Sequence, residues 1–72
     1  MSTFGQRLRI AIEQHQKITL TAFCERTGFS QSMLSHYLSG VYKPGLDSIV
    51  KIVESLPGTN IGWLLTGQPI AA

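Results

Sequence analysis

A single cysteine, Cys24, stands in 72 residues, so no internal disulfide can staple the chain. That fits a reducing compartment and leaves stability to packing alone. Charge is sparse: six Lys and Arg against four Asp and Glu make up 14% of the residues, for a net charge of +2 and a pI near 9.0. So mild a balance permits a polyanionic partner without demanding one. No apolar run approaches the ~20 residues of a membrane span, and the N-terminus lacks the charged-then-apolar order of a signal peptide. The expectation is a soluble cytoplasmic protein. Paired carboxylates and phosphate-cradling glycine loops are missing, and Cys24, His15 and His36 lack the convergent spacing that zinc requires. Neither an enzyme nor a cofactor or metal is expected. What is present, 43% hydrophobic residues in a length suited to one domain, reads as globular. At this size folding removes only ~60% of the chain's surface from water, so each large apolar residue counts.

The pattern along the chain is helical throughout. Thr3 with Gln6 three residues on forms a capping box, and Phe4, Leu8, Ala11 and Ile12 recur at helical spacing. A helix is expected from about Phe4 to Gln14, with Arg7, Arg9 and Glu13 mostly off its apolar stripe. Thr19 or Thr21 caps a second helix carrying Leu20, Phe23 and Cys24, closed at Gly28. Ser30 caps a third, with Leu34, Tyr37 and Leu38 as its apolar positions and Gly40 at its end. After a loop through Pro44 and Gly45, residues Leu46, Ile49, Val50, Val53 and Leu56 form the cleanest amphipathic pattern, stopped by Pro57 and Gly58. Asn60 caps a short fifth helix, Ile61 to Thr66. The expected architecture is an all-α bundle of five helices, with residues 1–67 as the domain and 68–72 as a tail or the start of a linker.

Two of these helices are joined by only Gly28-Phe29-Ser30, the geometry of a helix-turn-helix. Such a turn needs a left-handed residue (Gly28) and a small residue where the helices cross (Cys24). It also needs an apolar residue in the turn (Phe29) and inward apolar residues beyond it (Leu34, Tyr37). In that place Cys24 reads as a small buried thiol, not a nucleophile. On a helix starting at Ser30, residues Gln31, Ser32, Ser35 and His36 share the opposite face, polar and uncharged, with Met33 beside it. By itself such a face is as readily a solvated exterior as a reading surface. Within this register it suits hydrogen bonds to base edges, Gln31 being able to pair bidentately with adenine.

The stretch Ile18 to Leu56, with Gly28-Phe29-Ser30-Gln31-Ser32, Leu34-Ser35, Gly40, Pro44, Leu46-Asp47 and Ile49, resembles the phage-repressor (Cro/C1, XRE-type) helix-turn-helix family. The ending Trp63-Leu64-Leu65-Thr66-Gly67 is similar to the close of that domain. The resemblance implies a lambda-repressor-like five-helix domain that binds double-stranded operator DNA as a homodimer, in the bacterial cytoplasm or nucleoid, and regulates transcription. The family's base-reading positions correspond to Ser30, Gln31, Ser32 and His36. Two departures stand out: Leu20 replaces the Gln that often contacts phosphate and braces the recognition-helix Gln, and Glu13 and Leu38 occupy the positions of an Arg–Glu pair.

Phosphate contacts are expected from helix N-termini and the loop after the third helix: Thr19, Thr21, Tyr42 and Lys43. Arg7, Arg9, Arg26 and Lys51 receive no assignment. Trp63, Leu65 and Ile70 either complete the core or sit at a two-fold interface, the second reading being preferred, with Leu64 inward. The competing class is a protein-interaction module of antitoxin type, which would carry an apolar groove where the Gln31 face lies.

Overall fold

A computed structural model describes residues 2–69. The Thr3 hydroxyl accepts from the Gln6 amide at 3.2 Å, and the Gln6 side chain accepts from the Thr3 amide at 2.9 Å, closing the capping box that opens α1 (Phe4–Ile10). The chain continues into a π-helical segment, Ala11–His15, in which the Gln16 amide reaches back five residues to the Ala11 carbonyl at 2.9 Å. The single expected helix thus runs one residue further than Gln14 and ends in a wider turn. Ala11 and Ile12 are both buried by it, while Glu13 and Gln14 face solvent. Apolar spacing does not register a change of hydrogen-bond ladder from i−4 to i−5, which is why the sequence shows a plain helix there.

The remaining helices are α2 (Leu20–Thr27), α3 (Gln31–Ser39), α4 (Leu46–Glu54) and α5 (Ile61–Thr66). No strand occurs among the described residues. Each helix contributes to one core of Leu8, Ala11, Ile12, Phe23, Cys24, Leu34, Tyr37, Ile52, Leu56 and Leu64. On α4 the inward residues are Ile52 and, just past its end, Leu56, with Ile49 and Val53 half-buried. Leu46 and Val50, expected on the inner stripe, are 78% and 48% exposed. The apolar residues of this helix form one broad face, and the bundle covers only the part that holds Ile49, Ile52, Val53 and Leu56, leaving Leu46 and Val50 at its open edge.

Two contacts set how α1 holds the rest. A Cβ at Gly5 would overlap the Leu38 carbonyl oxygen and lie 2.7 Å from the carbonyl carbon, so α1 crosses α3 backbone against backbone. Arg7 is buried, contrary to its expected place off the apolar stripe. Its guanidinium donates to the Leu64 carbonyl at 2.8 Å, the Leu65 carbonyl at 3.3 Å and the Ser2 carbonyl at 2.6 Å. The last carbonyls of a helix have no partner within it and carry partial negative charge. Arg7 supplies both donors and charge to α5.

Candidate nucleic-acid interface

The joint between α2 and α3 is built as its residue types require. Thr19, of the two candidate caps, accepts from the Ala22 amide at 3.1 Å to start α2. Gly28 ends it at φ +81°, its amide donating to the Cys24 carbonyl at 2.8 Å. Thr27, buried, donates to the Phe23 carbonyl at 3.0 Å and accepts from the Phe29 amide at 3.2 Å, fixing the path through the turn. Ser30 then caps α3 by accepting from the Met33 amide at 3.1 Å. Cys24 is buried at the crossing, where its thiol lies 3.9 Å from the Ser30 carbonyl. Burial, and secondarily the charge of Glu25, pushes this thiol's pKa up, which keeps it protonated and unreactive.

The inner side of α3 is anchored. Leu34 and Tyr37 are buried, Phe29 meets Tyr37 edge-on with ring centroids 5.5 Å apart, and the Tyr37 hydroxyl hydrogen-bonds Ser48 on α4 at 3.1 Å. Opposite this, Ser30, Gln31, Ser32 and Ser35 are exposed, as is Met33. His36 is half-buried, its ring set edge-to-face against Tyr42 at 4.9 Å. The loop after α3 is tied to the same residue, because the Val41 amide donates to the His36 carbonyl at 3.0 Å. A rigid helix therefore presents a short polar row, and one base-reading candidate is braced by one phosphate-contact candidate.

Two open grooves run along α3. One, of about 320 Å³, is walled by Arg9, Thr21, Gln31 and Ser35 over a floor of Leu20, Cys24, Leu34 and Leu38. The other, of about 300 Å³, lies beside Gly40, Tyr42, Lys43 and Pro44 and reaches Phe4, Ile49 and Leu65. Thr21 is thus grouped with the reading face on one side and Tyr42 and Lys43 on the other; Thr19 is exposed at the head of α2. Leu20 is half-buried against the core. Glu13 is exposed, 3.6 Å from Arg9, and Leu38 is half-buried against the core, so no ion pair joins those two positions.

Of the expected two-fold residues, Leu65 is exposed, Trp63 is half-buried against the core with its ring 5.5 Å from that of His15, and Ile70 lies outside the described residues. Arg9 also lines this face, beside Gln31 and Ser35. Helical spacing puts it off the apolar stripe of α1, whereas the proximity of α1 to the start of α3 arises only in the packed fold. No group of three or more His, Cys, Asp or Glu side chains that could hold a metal occurs among the described residues. No described helix is long and apolar enough to cross a membrane.

Five helices with a three-residue joint, a buried thiol at the crossing and a polar outer row define a helix-turn-helix DNA-binding domain. The Cro/C1-type helix-turn-helix family model matches residues 8–64, and the chain belongs to that family. No curated protein and no solved structure matches the chain. The protein is a DNA-binding helix-turn-helix regulator.

Proposed function

We propose that the protein is a sequence-specific transcriptional repressor of phage or prophage type, which places α3 in the major groove of operator DNA and binds as a symmetric homodimer. The observation that carries this reading is the exposed, uncharged row Ser30, Gln31, Ser32 and Ser35 on a helix locked from behind by Leu34, Tyr37 and Ser48. These side chains and His36 are assigned to base edges. Gln31 takes adenine bidentately, worth roughly 1–3 kcal/mol of discrimination. Thr19, Thr21, Tyr42 and Lys43 are assigned to phosphates, which set register and carry no sequence information. Leu65 and Trp63 supply the two-fold contact of a domain that spans residues 1–67, and two half-sites one turn apart, ~34 Å, follow from that symmetry. A partner-binding module of antitoxin type would call for an apolar groove in place of this face, and the outer positions of α3 are polar apart from Met33.

The test is selection of duplexes from a random library by the wild-type protein, followed by binding of the selected duplex to the Gln31→Ala/Ser32→Ala double variant. Retained folding with preference for the selected sequence lost or shifted is the expected result. Undiminished sequence-specific binding by the double variant refutes the assignment of α3.

A further inference from the structure

The groove between α1, α2 and α3 has one cationic wall, and it comes from outside the helix-turn-helix. Arg9 faces Thr21, Gln31 and Ser35 across that space. Its only described ionic partner is Glu13, at 3.6 Å, with both side chains about half exposed. A pair so solvated is worth little and yields readily to a stronger anion. Lys17 and Lys51 are exposed and, like the remaining cations, do not line that groove. Arg7 is buried beneath α5, and Arg26 donates to Gln16 and to the Ser55 carbonyl on a different side of α2. Lys43 lines the groove on the far side of α3.

This distribution matters because of what flanks a helix in the major groove. The groove is ≈ 12 Å wide and bounded by the phosphates of both strands, and the nine residues of α3 rise ~13.5 Å. A recognition helix is held evenly only when both strands find donors. Lys43 and Tyr42 serve one flank. On the other, Thr21 offers a hydroxyl, Leu20 is apolar and turned to the core, and the charged side chain lining that groove is Arg9.

We propose that Arg9 is a DNA-binding residue, contacting the backbone phosphate of the strand that passes between α1 and the start of α3, beside Gln31. The inference rests on the DNA-reading function proposed above and adds to it a contact from a helix outside the helix-turn-helix. On binding, the guanidinium leaves Glu13 for a phosphate oxygen, with which it forms paired N–H···O bonds that an ammonium cannot duplicate.

The probes are the duplex selected by the wild-type protein and a scrambled duplex of equal length, each titrated across a salt series. One phosphate contact contributes about 0.9 to the slope of log K against log salt. Arg9→Ala is therefore expected to lower the magnitude of that slope by about 0.9 on both duplexes. Affinity falls about eightfold at 0.1 M salt, with the deficit vanishing on extrapolation to 1 M. Arg9→Lys should restore most of the slope, and Glu13→Gln should tighten binding, because Arg9 no longer has a competing partner. A structural role for Arg9 would instead lower affinity at all salt concentrations and leave the slope alone. An unchanged slope in Arg9→Ala, with wild-type binding intact, overturns the Arg9 assignment while leaving the function standing. Failure of the wild-type protein to bind either duplex overturns both.

Discussion

Replacing Gly5 with alanine tests the crossing on which the recognition helix rests. Gly5 lies in the first turn of α1, and on intrinsic preference alone alanine there is better by up to ~1 kcal/mol. The structure gives the opposite sign. The new methyl would overlap the Leu38 carbonyl oxygen and stand 2.7 Å from the carbonyl carbon, where carbon atoms in contact prefer ≈ 3.5–4.0 Å. The obstacle is backbone, so no rotamer change relieves it; α1 and α3 have to separate by about 1 Å at the crossing. That separation loosens Leu8 and Leu34, both fully buried, in a core that holds only ten buried apolar residues among those described. Overpacking costs about 1–3 kcal/mol and occasionally more, and an obstacle of this kind belongs at the upper end. A net loss of about 2–3 kcal/mol is expected after the propensity gain. A domain this small holds on the order of 5 kcal/mol in total, and each kilocalorie shifts its midpoint by about 4–8 °C. Thermal and urea unfolding followed by far-UV circular dichroism should show Gly5→Ala melting roughly 10–20 °C lower. The surviving folded fraction should bind DNA more weakly, since Leu38 belongs to α3. An alanine variant as stable as wild type, or more so, refutes the close crossing.

Other outcomes follow from the same geometry. Arg7→Lys should destabilise by about 1–3 kcal/mol, since one ammonium cannot reach the Leu64, Leu65 and Ser2 carbonyls in the planar arrangement that the guanidinium uses; urea midpoints measure it, and a neutral result would mean that α5 needs no external donor. Cys24 predicts a pH dependence. Its thiol pKa is raised in the folded state above 9.0, so the unfolded chain loses the proton first and stability falls as pH rises from about 9 through the folded value. Unfolding free energies of wild type and Cys24→Ala between pH 7 and 10.5 should show the extra decline only in wild type; parallel curves would contradict it. In the folded protein Cys24 should also react with thiol reagents far more slowly than in urea.

The helix-turn-helix is legible in the sequence because every part of it is local. A left-handed residue at Gly28, hydroxyl caps at Thr19 and Ser30, and apolar residues at Phe23, Leu34 and Tyr37 depend on neighbours at most a few turns away. The outer row at Gln31, Ser32 and Ser35 is legible for the same reason, since once Leu34 and Tyr37 face in, helical geometry turns these out. His36 is less so. Its pairing with Tyr42 depends on how the chain folds back after Gly40, which no spacing encodes.

Elsewhere the outcome depended on which elements meet. The apolar face of α4 is broader than the bundle covers, and contact with the other helices chose Ile52 and Leu56 over Leu46 and Val50. The widened turn after Ile10 is a hydrogen-bond register, invisible to side-chain pattern. Arg7 reads as an ordinary surface cation until α5 is seen to end above it with carbonyls to satisfy, and Gly5 reads as a weak helix residue until α3 passes against it. Arg9 came to face Gln31 by the same means. Secondary structure and the turn are short-range consequences of capping, φ preference and periodicity, and these the order of residues determines directly. The flank of the reading helix, the partner of each buried cation and the covered side of α4 are set by contacts between residues far apart in the chain, which exist only once the five helices have packed.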